Sequence, residues 1–209
     1  MGNSVLKYDQ LAATETVART LPALRERGIL ADFIESRGLA LTRIAELIPE
    51  GASVMTGASR TLEEIGFIDL LVSGKHPWNN LKNEMLAESD PARQMDLRRA
   101  SVVCDFFLGS VHAITEGGEA VIASASGSQL PAYAFTARNV IWVAGSQKIV
   151  PDLESAFNRI KEYVFPLEDA RMKSTGAAGS GINKTLIFSR EWSPYRKIYL
   201  ELVGEKLGF

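Results

Sequence analysis

The stretch Ala113–Ser126 reads AITEGGEAVIASAS, and it holds the most suggestive chemistry in the chain. An apolar run stops at a single acid, Glu116. Gly117 and Gly118 follow, and a second apolar run then begins. A carboxylate at a strand end beside a Gly-Gly turn can act as a nucleophile, a base or a ligand group. Glycine there lets a ligand approach the backbone closely. The same letters also fit a hairpin turn carrying a solvated glutamate, since Gly-Gly between strands is a hairpin signal.

Two other apolar runs end in small residues. Thr56-Gly57-Ala58-Ser59 follows Ala52–Met55, and Ala144-Gly145-Ser146 follows Asn139–Val143. In an open parallel sheet, ligands bind in the crevice at the carboxyl ends of the strands. Gly57 and Ser59 would offer backbone and hydroxyl contacts there. Ser59 equally suits the cap of the helix that SRTLE opens. Lys148, just past the third exit, reads either as a solvated cap or as a cation facing an anionic ligand. Arg138 and Arg171 are weaker versions of the same idea. The loop STGAAGSGIN (Ser174–Asn183) reads as flexible, with an anion-cradling or lid role as the alternative.

Several chemistries are excluded. No GxGxxG follows a strand and no GxxxxGK[ST] is present, so neither a dinucleotide fingerprint nor a P-loop is read. Cys104 is the only cysteine, which rules out an intrachain disulfide and a cysteine-ligated iron–sulfur cluster. Its apolar context, SVVCDFF, points to a buried inert thiol. His76 and His112 are far apart and lack zinc spacing, so no metal site is expected. His112 alternates with apolar neighbours and reads as a core histidine.

The elements that must position these groups alternate. Periodic apolar residues predict a helix over Ala12–Arg27, ended by Gly28. A strand over Ile29–Ile34, a helix over Leu39–Ile48 and a strand over Ala52–Met55 follow. A helix then runs from about Arg60 to Leu71. Ser73–Pro91 is polar and irregular, and reads as loop or short helices. Asp90 caps a helix that Pro91 opens. Strand-rich sequence follows, and Pro151-Asp152-Leu153 opens an amphipathic helix to about Phe165. Strands at Lys184–Phe188 and Lys197–Val203 close the chain. This order predicts an α/β fold of three layers, with a mostly parallel sheet and flanking helices. One domain over residues 1–209 is expected, with residues 1–27 a helical extension packed on it.

Composition bounds the partners. The 209 residues are 46% hydrophobic and 23% charged, with a net charge of −2. No basic stripe is present, which argues against a nucleic-acid surface. The apolar runs are strand-sized, too short to span a bilayer. The opening MGNSVLKYDQ has no apolar signal region, and Leu6 stands where myristoylation of Gly2 wants Ser or Thr. A cytoplasmic location fits these features and the cysteine count.

Four segments together carry a resemblance. VMTGASRTLEEIG, ITEGGEAVIAS, NVIWVAGSQKIVPDLESAF and the closing VGEKLGF resemble the LUD (lactate utilisation) domain family from about residue 51 to 209. That resemblance implies a fold similar to the NagB/RpiA/CoA-transferase-like group, with sites at strand ends. It implies a bacterial role in oxidising lactate to pyruvate, in a system whose partner subunits carry the iron–sulfur centres. With one cysteine, this chain resembles the cluster-free component. The family commonly reads ETGT where this chain reads Glu116-Gly117-Gly118-Glu119, so the acid is kept and the threonines are not.

Three readings follow. In the first, the chain binds a small anionic metabolite, with Glu116 as the acid and, by analogy with a CoA-transferase glutamate, as the catalytic group. Gly57, Ser59, Gly117 and Gly118 would then contact the ligand and Lys148 would be the charge partner. In the second, the chain is a non-catalytic scaffold for an iron–sulfur protein, with Trp78, Trp192 and Tyr195 as interface anchors. In the third, it is a free-standing enzyme of CoA-transferase or sugar-phosphate isomerase type. None of the three names a cofactor.

Overall fold

A computed structural model describes residues 7–209. Gly2 and the first six residues of the expected N-terminal extension lie outside them. The described chain opens on helix α1 (Thr14–Glu26), strand β1 (Ile29–Ile34), α2 (Arg37–Leu47) and β2 (Ser53–Thr56). Helices α3 (Arg60–Glu64) and α4 (Phe67–Ser73), strand β3 (Asn79–Asn80), and helices α5 (Leu81–Ala87) and α6 (Pro91–Ala100) follow. Then come β4 (Phe106–Gly109), β5 (Ala113–Thr115), β6 (Ala120–Ser124), β7 (Asn139–Gly145) and β8 (Ile149–Val150). Helices α7 (Leu153–Arg159) and α8 (Phe165–Ser174) precede β9 (Lys184–Phe188) and β10 (Lys197–Val203).

Six strands form an all-parallel central sheet in the order β1-β10-β7-β4-β2-β3. Its inner strands are covered on both faces, which is why β7 reads as the nearly unbroken apolar run NVIWVAG. One face packs Val54, Leu108, Ile141 and Val143 against Ala40 and Ile44 of α2, and against α3 and α4. The other face packs Phe107, Val140, Trp142 and Leu200 against Leu24 of α1 and against Ile114 and Ile122. The architecture is the three-layer α/β arrangement that the alternation predicts.

The second layer holds a feature that the alternation does not resolve. β8, β5, β6 and β9 form a sheet of their own, in that order. β5 and β6 pair antiparallel, as do β6 and β9. Helix α7 covers the far face of this sheet through Ala156, with Ile160 just beyond it.

Two helices differ from their predicted spans for local reasons. The helix expected from Arg60 to Leu71 is split, because Gly66 takes φ +81° and separates α3 from α4. The helix opened by Asp152 runs on to Ser174 through a π-helical turn at Ile160–Val164. Pro166 sits in the first turn of α8 and has no N–H to give. A wider turn before it absorbs the register change.

Glu116, Gly117 and Gly118 form the tight β5–β6 hairpin. Gly118 N donates to Thr115 O at 2.9 Å, and Thr115 N donates to Glu119 O at 2.9 Å. The turn is docked on the end of α1. Arg27 Nε donates to Gly117 O at 2.5 Å, and Arg27 also pairs with the Glu119 carboxylate. Gly118 has φ +88°, and a Cβ there would sit 2.7 Å from the Ala23 carbonyl carbon and oxygen. Both the backbone angle and the contact require glycine. Gly118→Ala should therefore cost about 2 kcal/mol or more. Glu116→Gln removes only a surface pair with Arg19 and should cost about 0–1 kcal/mol. Urea melts of the two variants with unchanged m-values check both; equal costs would contradict the docking role of Gly118.

Candidate functional site

The strand ends of the central sheet are staggered. Gly109, the last residue of β4, is level with Trp142, yet β7 runs on to Gly145 beside Val203. β2 stops at Thr56, level with Leu108. β7 and β10 therefore overhang β2 and β4, and a cleft opens above the shorter strands. Its volume is about 480 Å³. That exceeds what a three-carbon acid fills and lies within the range of small-molecule sites.

Four segments wall the cleft. Thr56-Gly57-Ala58-Ser59 leaves β2, and Ser110 and Val111 leave β4. Ser124, Ser126 and Ser128 come from the end of β6 and its loop, and Gly179-Ser180-Gly181 from the glycine-rich loop. Met55, Met85, Val102, Phe107 and Tyr133 give it apolar surface. Gly57 and Ser59 are thus among the residues that line the cleft. Ser59 is also the cap of α3, its hydroxyl accepting from Leu62 N at 3.3 Å.

Lys148 is the central cation. Only 2% of it is exposed, yet it lines the cleft. Its Nζ donates to Thr61 Oγ1 at 3.2 Å, Ser110 Oγ at 3.0 Å and Val111 O at 3.2 Å. All three partners are neutral. Among the described residues no carboxylate lies within ion-pair distance. Burial, helped by the nearby Arg159 guanidinium, lowers its pKa from 10.5 to about 7; Glu64 opposes this weakly.

Two more cations face the cleft. Lys82 Nζ donates to Thr56 Oγ1 at 3.0 Å, and its pKa is lowered, chiefly by burial. Arg98 lies at the rim and pushes the Lys82 pKa down further, against the pull of Glu63. Neither has an ion-pair partner among the described residues. The remaining cations of the cleft are neutralised. Arg171 forms a bidentate pair with Glu168 at 2.7 and 2.8 Å, and Arg60 pairs with Glu63 and Glu64. The field at the cleft centre is therefore positive, which suits an anion.

His112 lies at the same place as a neutral group. Its Nδ1 accepts from Ala123 N at 3.0 Å, so its proton sits on Nε2. Burial, with Lys148 and Arg159 beside it, holds its pKa down to about 3. Arg159 Nη1 donates to the His112 carbonyl at 2.5 Å. Cys104 is buried and its thiol is pushed up to about 12, chiefly by burial, as an inert core thiol requires.

The expected cluster is not brought together whole. Glu116, Gly117 and Gly118 do not line the cleft. Glu116 accepts from Arg19 Nη2 at 2.9 Å on the surface of the hairpin. The reason is topological: this strand end belongs to the small antiparallel sheet, not to the parallel one. Arg138 is exposed at the start of β7, at the opposite end of the sheet. Trp78 is another correction. It is 7% exposed, stacks on Phe67, and its indole donates to Ile48 O at 3.1 Å, so it is a core residue. Trp192 and Tyr195 are 88% and 93% exposed.

Lys82, Arg98 and Ser110 are site residues that the sequence reading misses. Ser110 had a signal, since Leu108-Gly109-Ser110 is one more strand exit in small residues. Lys82 had none, because its helix lies in the segment that reads as irregular; Arg98 had none although its helix is the one that Pro91 opens.

Among the described residues no helix is long and apolar enough to cross a membrane, and no group of histidine, cysteine and acidic residues can hold a metal ion. No curated protein matches the sequence. A solved structure of a DUF162 family protein from Deinococcus radiodurans superposes with a TM-score of 0.53 at 12% identity. The match covers 93% of this chain and 100% of that one, and it shows a shared fold. The model of the LUD domain matches residues 17–188, most of the length, and the chain belongs to the LUD domain family.

Proposed function

We propose that this protein binds a small anionic metabolite of lactate or related organic-acid utilisation, in the cleft at the strand carboxyl ends. One observation carries the reading: a buried lysine with only neutral partners among the described residues opens on a cleft shared by two further cations that have no ion-pair partner among them. A buried charge without a counter-charge is costly, and an incoming carboxylate or phosphate relieves that cost. Gly57 and Ser59 supply backbone and hydroxyl contacts beside it. The chemistry of a CoA-transferase glutamate has no support from Glu116, which lies outside the cleft. The family's association with lactate oxidation, in a cytoplasmic system with an iron–sulfur partner, supports the choice of metabolite class.

A thermal-shift titration with lactate and pyruvate tests this. A ligand at 100 times its Kd stabilises the fold by about 2.7 kcal/mol. The wild type and Glu116→Gln should be stabilised alike, and Lys148→Met should need at least about tenfold more ligand, the loss of one charge-assisted contact of about 1.4 kcal/mol or more. Equal shifts in Lys148→Met and wild type would remove Lys148 from the site.

The pH dependence has a definite sign. Between about pH 7 and pH 10.5 the unfolded chain keeps the Lys148 proton and the folded chain has lost it. The unfolded state then binds more protons, so this group's contribution to stability rises with pH across that window. Below pH 7 both states are protonated and the contribution stays at its lowest. Melting temperatures of wild type relative to Lys148→Met should rise from pH 7 to pH 10. Affinity for the anion should fall over the same range as the charge is lost. A flat difference between the two proteins would show that Lys148 titrates normally.

A second reading has its own observation. Trp192 and Tyr195 are large aromatic side chains standing in solvent on the loop before β10, as interface anchors do. A scaffold role for an iron–sulfur partner would use that loop. Replacing both by alanine should abolish co-purification with a cysteine-rich partner and leave the anion shift intact.

A further inference from the structure

The hydrogen-bond set around Lys148 can hold its amine in either protonation state. The Ser110 hydroxyl donates to Val143 O at 2.6 Å, so toward Lys148 it accepts. The Val111 carbonyl can only accept. Thr61 differs from both. Its hydroxyl has Ser110 Oγ at 3.3 Å and Leu207 O at 3.5 Å as other partners, so it can turn away from Nζ or donate to it. A neutral amine has two N–H donors and one lone pair. Two fixed acceptors and one exchangeable hydroxyl serve that species as well as they serve an ammonium with three donors.

The surroundings favour the neutral amine. Arg159 is buried beside Lys148 with no carboxylate within ion-pair distance among the described residues, and the cleft side carries Lys82 and Arg98. A lysine desolvated next to another cation is an activated amine, because its lone pair is free near neutral pH. The low pKa of Lys148 agrees with this arrangement. The cleft is larger than a bare three-carbon acid, and Met55, Met85, Val102 and Phe107 give it room for an aliphatic tail.

We propose that Lys148 is a carbonyl-reactive amine that forms a reversible imine with a 2-oxo acid, whose carboxylate Lys82 and Arg98 hold. This rests on the anion-binding reading above and adds a covalent step to it. The Nζ lone pair attacks the carbonyl carbon, and the C=O π pair moves to oxygen, which takes a proton. Nitrogen supplies that proton and then a second one to the carbinolamine oxygen, and water leaves as the C=N bond forms. Amine and ketone give imine and water, with no oxidant or reductant needed. The Thr61 hydroxyl, freed from Nζ, stands where it can pass the proton from nitrogen to oxygen.

Borohydride trapping decides it. The full chain is incubated with saturating pyruvate or 4-methyl-2-oxopentanoate, reduced with sodium borohydride, and mapped by peptide mass. One reduced adduct per chain is expected, at Lys148, with more of it from the longer acid. Lactate, which has no carbonyl, should give none. Initial trapping should be about tenfold faster at pH 8 than at pH 6, following the free-amine fraction of a group that titrates near 7. Lys148→Arg should give no adduct anywhere on the chain above the level found without a 2-oxo acid. The wild-type peptide map stands alone if that variant fails to fold. Adducts scattered over surface lysines, or none, with a persisting pyruvate shift would overturn the imine and leave the anion site standing. Neither adduct nor shift would overturn both.

Discussion

The parallel pairing of β7 with β10 on one side and β4 on the other is the constraint from which the site follows. Parallel strands point their carboxyl ends to one edge of the sheet, so the residues after β2, β4 and β7 meet there whatever their distance in sequence. The register adds a second condition. Because β7 runs three residues past the level where β4 stops, the edge has a step. Ser110, leaving the short strand, reaches Val143 O on the overhanging one. That bond sets the Ser110 hydroxyl beneath Lys148. A one-residue slip between β4 and β7 would turn the Val143 carbonyl away and dismantle the cradle.

Burial of Lys148 is tolerable only because that cradle exists. An unpaired ammonium in an apolar interior is costly enough that the group gives up its proton instead. Three oxygens within 3.2 Å reduce that cost without cancelling the charge. A carboxylate in the same place would have held the proton firmly and neutralised the field. The neighbouring acids are used elsewhere: Glu168 on Arg171, and Glu63 and Glu64 on Arg60. Glu64 also accepts from Gly208 N at 2.7 Å, which ties the segment after β10 to α3. The positive field of the cleft is thus a consequence of which cations the surrounding acids do and do not reach.

Much of the fold was legible because its signals are local. β1, β9 and β10 lie where their apolar runs place them, and α6 begins where Asp90-Pro91 says it should. The small second sheet was not legible. Its strands are short, and only the β5–β6 hairpin is local; β8 and β9 join it from far along the chain. Alternation of helix and strand predicts a parallel sheet but says nothing of which strands leave it. Lys148 and Ser59 could be singled out since each follows a strand exit of the parallel sheet. Lys82 could not, because what matters about it is contact with Thr56, 26 residues away, across a segment with no clear period.

Glu116 shows why a strand end alone is an ambiguous signal. Ile-Thr-Glu-Gly-Gly at a hairpin and Val-Met-Thr-Gly-Ala at a parallel strand exit look alike in a five-residue window. They differ in what comes next. After Thr56 the chain turns into a helix, α3, so the exit stays open at the sheet edge. After Gly118 the chain returns at once as β6, so the exit is closed by its own partner. A hairpin also uses its backbone groups internally, as Thr115 and Glu119 do, and leaves few N–H groups for a ligand. The charged residues of such a turn are then free to bond outward, and here they bond α1 through Arg19 and Arg27. Of the two glycines that suggested close approach of a ligand, Gly118 instead permits close approach of a helix.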